Sequence, residues 1–342
     1  MRRRGATLLV GVVVLVALVL GSFVGIKVPY VEEGPGPTWN TLGSSSGKQL
    51  ISISGGTTSN SAGQLRMVTV GVEDQITLWQ AIRGWLDPSD AVVPREVVYP
   101  PDQTQQQTDQ QNQQEFAESQ SSAETAALRK LGFPVKVTVG SVVAGAPAEG
   151  HLRAGDVINS VNGQQVTSVE KLTSLIKARP AGTALVIGYS RNGVPASTTI
   201  TSSKGSDGSP QVGVQVDQKQ PSPYSIKFTL DDVGGPSAGL MFSLGIVDKL
   251  TPTDLTGGMT IAGTGTIDDD GNVGPIGGIA QKMRGAKRDG ATVFLSPADN
   301  CAEAVANAVP GLELVKVSTL NDALTALQKL RDHQTPTLCA GS

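Results

Sequence analysis

The chain has 342 residues, more than one ordinary hydrophobic core organises, so at least two domains are expected. A formal charge of -3 and a pI near 5.5 leave no basic footprint, which argues against nucleic acid as a partner. Only two cysteines occur, Cys301 and Cys339, which excludes a disulfide-dense scaffold and any Cys-rich zinc or iron–sulfur site.

In chain order, Arg2-Arg-Arg4 precedes Ala6 to Ile26, a run of 21 residues without a charge. That length suffices to span a bilayer. Arginines before it and Glu32-Glu33 after it orient the N-terminus inside and the remainder outside. The pattern predicts an uncleaved signal anchor over residues 1–29 and a single-pass location in the cell membrane, with the later domains extracytoplasmic. A cleaved signal peptide would have a shorter apolar core and an A-x-A-like site, which Lys27-Val-Pro-Tyr30 does not offer.

Residues 30–114 are expected to form a small β-rich region. Ile51-Ser-Ile53 and Leu65 to Val72 alternate apolar and polar residues around the loop Gly55 to Gly63, and Trp79 to Trp85 reads as a short amphipathic helix. Asp102 to Gln114 is a Gln-rich, low-complexity run that reads either as a solvated loop or as the polar start of the helix through Glu115 to Lys130, and is taken as an exposed connection without a functional role.

The block 115–203 begins with a helix through Glu115 to Lys130. It continues with the strand-like Val135-Lys-Val-Thr-Val139, the turn Ala144 to Gly150, and His151-Leu-Arg-Ala-Gly-Asp-Val-Ile-Asn-Ser-Val-Asn-Gly163. A helix from Ser168 to Ala178 and the strand Ala184 to Ser190 follow. The motifs G-A-P-A-E-G, L-R-A-G-D-V-I and S-V-N-G, at this spacing, resemble a PDZ domain of the kind attached to bacterial proteases. Such domains bind extended peptides by strand addition and hold a terminal carboxylate on backbone N–H groups. Leu131-Gly-Phe133 is the candidate carboxylate loop.

Residues 204–335 alternate strands and helices and are expected to form an α/β domain, with a tail at 336–342. Within it, Asp231-Asp-Val-Gly-Gly-Pro-Ser-Ala-Gly-Leu240 places Ser237 at the start of a nearly all-apolar helix. A serine hydroxyl needs a base before it can attack. A nucleophile elbow, which Gly235 to Gly239 matches as G-x-S-x-G, requires a downstream histidine. His333, in the polar tail, is the only one on offer. The other base is Lys282: Ile279, Met283 and Ala286 recur on one helical face, and Lys282 falls on that same face. Forced toward a core, an amine loses hydration and its pKa falls, making it a competent acceptor. Equally, the stem could snorkel to water, or Ser237 could serve only as a helix-start residue after Pro236. On the residues alone these readings stay open.

Several motifs in order resemble the proteolytic domain of Lon-type proteases: G-G-P-S-A-G around Ser237, Thr264-Gly265, P-I-G-G-I-A-Q-K from Pro275 to Lys282, and V-F-L-S-P-A-D-N from Val293 to Asn300. The resemblance implies Ser237 as nucleophile, Lys282 as general base, and Thr264 as a hydrogen-bonding support near the lysine amine. Gly235 stands where ATP-dependent members often carry an acidic residue. The nearest approach to a P-loop, Gly43 to Lys48, is one residue too short, so no ATPase module is expected. The whole layout resembles membrane-anchored bacterial proteases with a PDZ module. It implies an α+β multidomain, ATP-independent serine endopeptidase acting on proteins or peptides, without cofactor or metal, and suggests a ring homo-oligomer. Oxyanion donors are expected from Ser237 and from around Gly234-Gly235. A non-catalytic PDZ adaptor is the rival from another class. Cys301 and Cys339 are expected to bond.

Overall fold

The computed structural model describes residues 10–14, 21, 25–45, 47–230 and 233–340. It divides into one unit of Met1–Ser52, Thr57–Ala123 and Ile226–Ser342, and a second of Ile53–Gly56 and Glu124–Ser225. The chain begins in the first unit with β1 (Tyr30–Asn40), β2 (Gln64–Glu73), α1 (Leu78–Leu86), β3 (Ala91–Pro94) and α2 (Gln105–Lys130), of which Glu124 onward belongs to the second unit. It passes through the second unit as β4 (Lys136–Val142), β5 (Val157–Val161), α3 (Val169–Lys177), β6 (Ala184–Arg191), β7 (Val194–Thr201) and β8 (Val214–Lys219). It returns to the first unit with α4 (Gly239–Leu250), β9 (Thr260–Gly263), α5 (Ile279–Arg288), β10 (Val293–Pro297), α6 (Cys301–Ala306), β11 (Glu313–Val317) and α7 (Leu320–Arg331).

The first unit is built on a six-stranded mixed sheet in the order β11-β10-β9-β2-β1-β3. The strands β9, β10 and β11 pair in parallel, β2 joins β9 in parallel, and β1 runs antiparallel to both β2 and β3. Half of this sheet therefore comes from the segment read as a small region of its own. The reason lies in β9: a parallel strand buried on both faces needs a partner on each edge, and Leu65 opposite Ile261 closes the second edge. Helix α4 is buried from Gly239 to Lys249, as its nearly all-apolar sequence requires.

Two sequence expectations are corrected. Among the described residues no helix is long and apolar enough to cross a membrane, so the transmembrane helix and the single-pass, extracytoplasmic location inferred from it are not supported. Of the run Ala6 to Ile26, only residues 10–14, 21, 25 and 26 are described, and the rest of the expected span lies outside them. The Gln-rich run is not a connection but the start of α2. Glutamine is a good helix former, and Thr104 caps the first turn: its hydroxyl accepts from Gln107 N–H at 3.2 Å while Gln107 Oε1 accepts from Thr104 N–H at 2.8 Å.

The second unit is an antiparallel sheet in the order β7-β6-β5-β4-β8, closed over a core that includes Val137, Ile158, Leu172, Leu185 and Ile200. Both edges of β4 are occupied, by β5 and β8. No further strand can add to β4 itself; the turn Leu131-Gly-Phe133 that leads into it lies beside the end of β8, where Gln220 Nε2 donates to the Phe133 carbonyl at 2.8 Å. The edge strands of this sheet are β7 and β8, and β8 packs against α3.

Candidate active site

Ser237 sits two residues before α4, on a turn held from outside at three backbone groups. Gly235 has the left-handed φ of 79°, which glycine adopts without strain, and its N–H donates to the α2 carbonyl of Asn112 at 2.8 Å. The Pro236 carbonyl accepts from Ser119 Oγ, also on α2, at 2.9 Å. The Ser237 carbonyl accepts from Thr264 Oγ1 at 3.0 Å and from Gly265 N–H at 2.9 Å. Thr264 is thus fully buried and bonded to the serine backbone; no bond joins it to the Lys282 amine among the described residues. The N–H groups of Ser237 and Ala238 have no acceptor among the described residues. The Gly235 N–H, expected near an oxyanion, is committed to α2.

Lys282 lies on α5 between Ile279 and Ala286, both fully buried, and is itself only 5% exposed. The helix starts at Gly278, and Lys282 N–H bonds the Gly278 carbonyl at 3.0 Å. Burial draws the Lys282 pKa down from the ordinary lysine value to about 8, against an opposing pull from the Glu33 carboxylate. Glu33 is raised by its own burial and drawn back by Lys282.

Sheet register explains the pairing. Glu33 on β1 is opposite Val72 on β2, and Pro35 is opposite Val70. Partners in an antiparallel pair, and residues two apart on one strand, share a face. Val70 packs on Gly278 at the start of α5, so Glu33 projects from the face that carries α5. Other charged groups nearby are engaged elsewhere. Glu32 pairs with Arg83 at 3.5 Å, Arg288 with Asp289 at 2.9 Å, and Arg66 with Asp289 at 3.7 Å. Sequence reasoning missed Glu33, which lies more than two hundred residues before the lysine it faces.

Ser237 and Lys282 line one cavity of about 380 Å³, walled by Pro37 and Trp39 of β1, Thr69 to Val72 of β2, and Val233 and Gly234. Neither histidine reaches it. His151 bonds Thr198 at 2.7 Å in the second unit, and His333 occupies an exposed turn after α7.

Residues 105–201 match the PDZ domain family, and residues 232–329 match the Lon protease (S16) C-terminal proteolytic domain. The chain joins a PDZ domain to a Lon-type proteolytic domain. Lon protease 2 of Bacillus subtilis is 32% identical over 108 residues, 31% of this chain and 19% of that protein. Lon protease 1 of Sorangium cellulosum is 40% identical over 100 residues, 28% of this chain and 12% of that protein. The chain thus spans less than a fifth of the length of these curated relatives, 19% and 12%. A crystal structure of the PDZ domain of an SdrC-like protein from Listeria innocua is 28% identical, covers 24% of this chain and 92% of that one, and has a TM-score of 0.23.

Proposed function

We propose that the chain is a serine endopeptidase in which Ser237 is the nucleophile and Lys282 the general base. One observation carries the reading: a serine at a helix start and a buried amine titrating near 8 face the same cavity. Lys282 Nζ takes the Ser237 proton as Oγ bonds the scissile carbonyl carbon. The carbonyl electrons move onto oxygen, where the N–H groups of Ser237 and Ala238 receive them. Collapse breaks the C–N bond, and the Lys282 ammonium gives its proton to the leaving amine. Water, deprotonated by Lys282, then bonds the acyl carbon; the Ser237 Oγ–C bond breaks, and the Lys282 ammonium returns its proton to Oγ. None of these steps consumes a nucleotide. During each transfer the buried ammonium is stabilised by Glu33, as a third group stabilises the base in other dyads and triads. Thr264 and Gly235 hold the serine turn.

The base works only when neutral, so kcat/KM should rise with pH through about 8, the value to which Lys282 is drawn. Glu33 favours the charged amine, so Glu33→Gln should move this rising limb to lower pH while reducing the maximal rate. A full pH–rate profile of both forms checks this. A limb that stays in place removes Glu33 as the charge partner, and a profile flat across pH 6–10 removes the lysine as base.

The PDZ unit is proposed to select protein substrates. Support comes from β8, an edge strand whose Val214 and Val216 pack on the core while its outer edge lies free beside α3. An extended peptide adding there would gain main-chain hydrogen bonds. Binding remote from the chemistry helps long substrates and not short ones. Excess peptide with a free C-terminus should therefore slow cleavage of an unfolded protein and leave hydrolysis of a short fluorogenic peptide unchanged. Equal inhibition of both would contradict this division of labour.

A further inference from the structure

Helix α2 bonds the nucleophile turn at two points, and one of them bears on the reacting atoms. Ser119 is 5% exposed and sits in the middle of α2. A mid-helix serine usually bonds back to the carbonyl four residues earlier or faces water. Ser119 instead reaches 117 residues along the chain and donates to the Pro236 carbonyl at 2.9 Å. That carbonyl belongs to the Pro236–Ser237 peptide, whose other polar group is the Ser237 N–H. In a planar trans peptide the two point in opposite directions. Fixing the carbonyl on α2 aims the Ser237 N–H away from α2, where no described residue accepts from it. A hydrogen bond to the carbonyl also polarises the amide and strengthens its N–H as a donor.

The approach of α2 is built for this contact. A Cβ at Gly234 would lie 2.9 Å from Asn112 Cβ, and one at Gly239 would lie 3.0 Å from Ser119 Oγ. Phe116 stacks edge-on against Phe242 of α4, with ring centroids 5.7 Å apart, and locks the helix at this height. The Ser237 carbonyl, on the next peptide, is held independently by Thr264 and Gly265. The two peptides flanking the serine are thus held by different elements.

We propose that Ser119 is a positioning residue for the oxyanion site, acting through the Pro236–Ser237 peptide; this rests on the reading of Ser237 as the nucleophile. Its loss leaves the serine and its base in place and loosens only the donor that receives the negative charge. The effect then falls on the transition state and not on substrate binding or on the ionisation of the base.

The test uses the full chain with an unfolded protein substrate and compares wild type, Ser119→Ala, Ser119→Thr and Ser237→Ala. Ser119→Ala should lower kcat about 10- to 100-fold, the cost of a slackened oxyanion donor. KM and the position of the rising pH limb should be unchanged, and affinity for a peptide boronate, which mimics the tetrahedral state, should fall by the same factor as kcat. Ser119→Thr, which keeps the hydroxyl, should recover most of the rate. An Ala variant with wild-type kcat overturns the proposal. So does a loss accompanied by a shifted pH limb or by unchanged boronate affinity, since either means a different or merely structural role. If wild type and Ser237→Ala are equally inactive, the proteolytic reading itself fails and Ser119 falls with it. An active wild type beside an unaffected Ser119→Ala sinks only the positioning role.

Discussion

Ser237→Ala and Lys282→Ala are each expected to lower kcat by about 10⁴-fold or more, and the double variant to be no worse than either single one. The reason for non-additivity is that both side chains serve one proton transfer: without the hydroxyl there is no proton to move, and without the amine nothing to receive it. Lys282→Arg should be as inactive as Lys282→Ala, because a guanidinium stays charged and cannot act as a base. His333→Ala should cleave at nearly the wild-type rate, since His333 does not line the cavity. Steady-state kinetics on an unfolded protein, with circular dichroism to verify folding, checks the set. Near-normal turnover by Lys282→Ala would return the role of base to another group.

The second large effect is on stability. Cys301, at the start of α6, is bonded to Cys339 across 38 positions of sequence. The tail it secures runs beside β11: Lys316 N–H donates to the Thr337 carbonyl and Cys339 N–H to the Leu314 carbonyl, both at 2.9 Å. Those bonds alone order a short exposed segment weakly, and the disulfide restricts the unfolded chain as well. Cys301→Ser with Cys339→Ser should cost about 2–4 kcal/mol in the chain-entropy picture. For a unit of this size that lowers the melting temperature by roughly 5–15 °C. Thermal melts with and without reductant measure it. Two reactive thiols per chain in unfolded, unreduced protein would rule the bond out.

Legibility in the sequence followed how local each signal was. Ile279, Met283 and Ala286 put Lys282 on an apolar face through helical spacing alone, and that face is buried. Ser237 was visible because glycine and proline before an all-apolar run mark a turn into a buried helix. Glu33 was not visible: its meeting with Lys282 depends on the register of β1 against β2 and on α5 crossing that face, which no local pattern encodes. The role of α2 was hidden for another reason. Its buried positions up to Ala123 carry Thr108, Phe116, Ser119 and Ala123, of which Phe116 alone is a large apolar residue, so almost no hydrophobic stripe marks the face. A Gln-rich helix with such a face reads as solvent-exposed. The apolar run at the N-terminus misled in the opposite direction, since length and hydropathy alone predicted a membrane span that no described helix provides.

If a neutral, buried Lys282 activates Ser237, the rate at which Ser237 reacts with a fluorophosphonate reports it without any assumption about substrate. In the wild type, labelling mapped to Ser237 should rise with pH through about 8, following deprotonation of Lys282. In Lys282→Ala it should be slow at every pH. Labelling that is independent of pH, or equally fast without the lysine, would contradict the account.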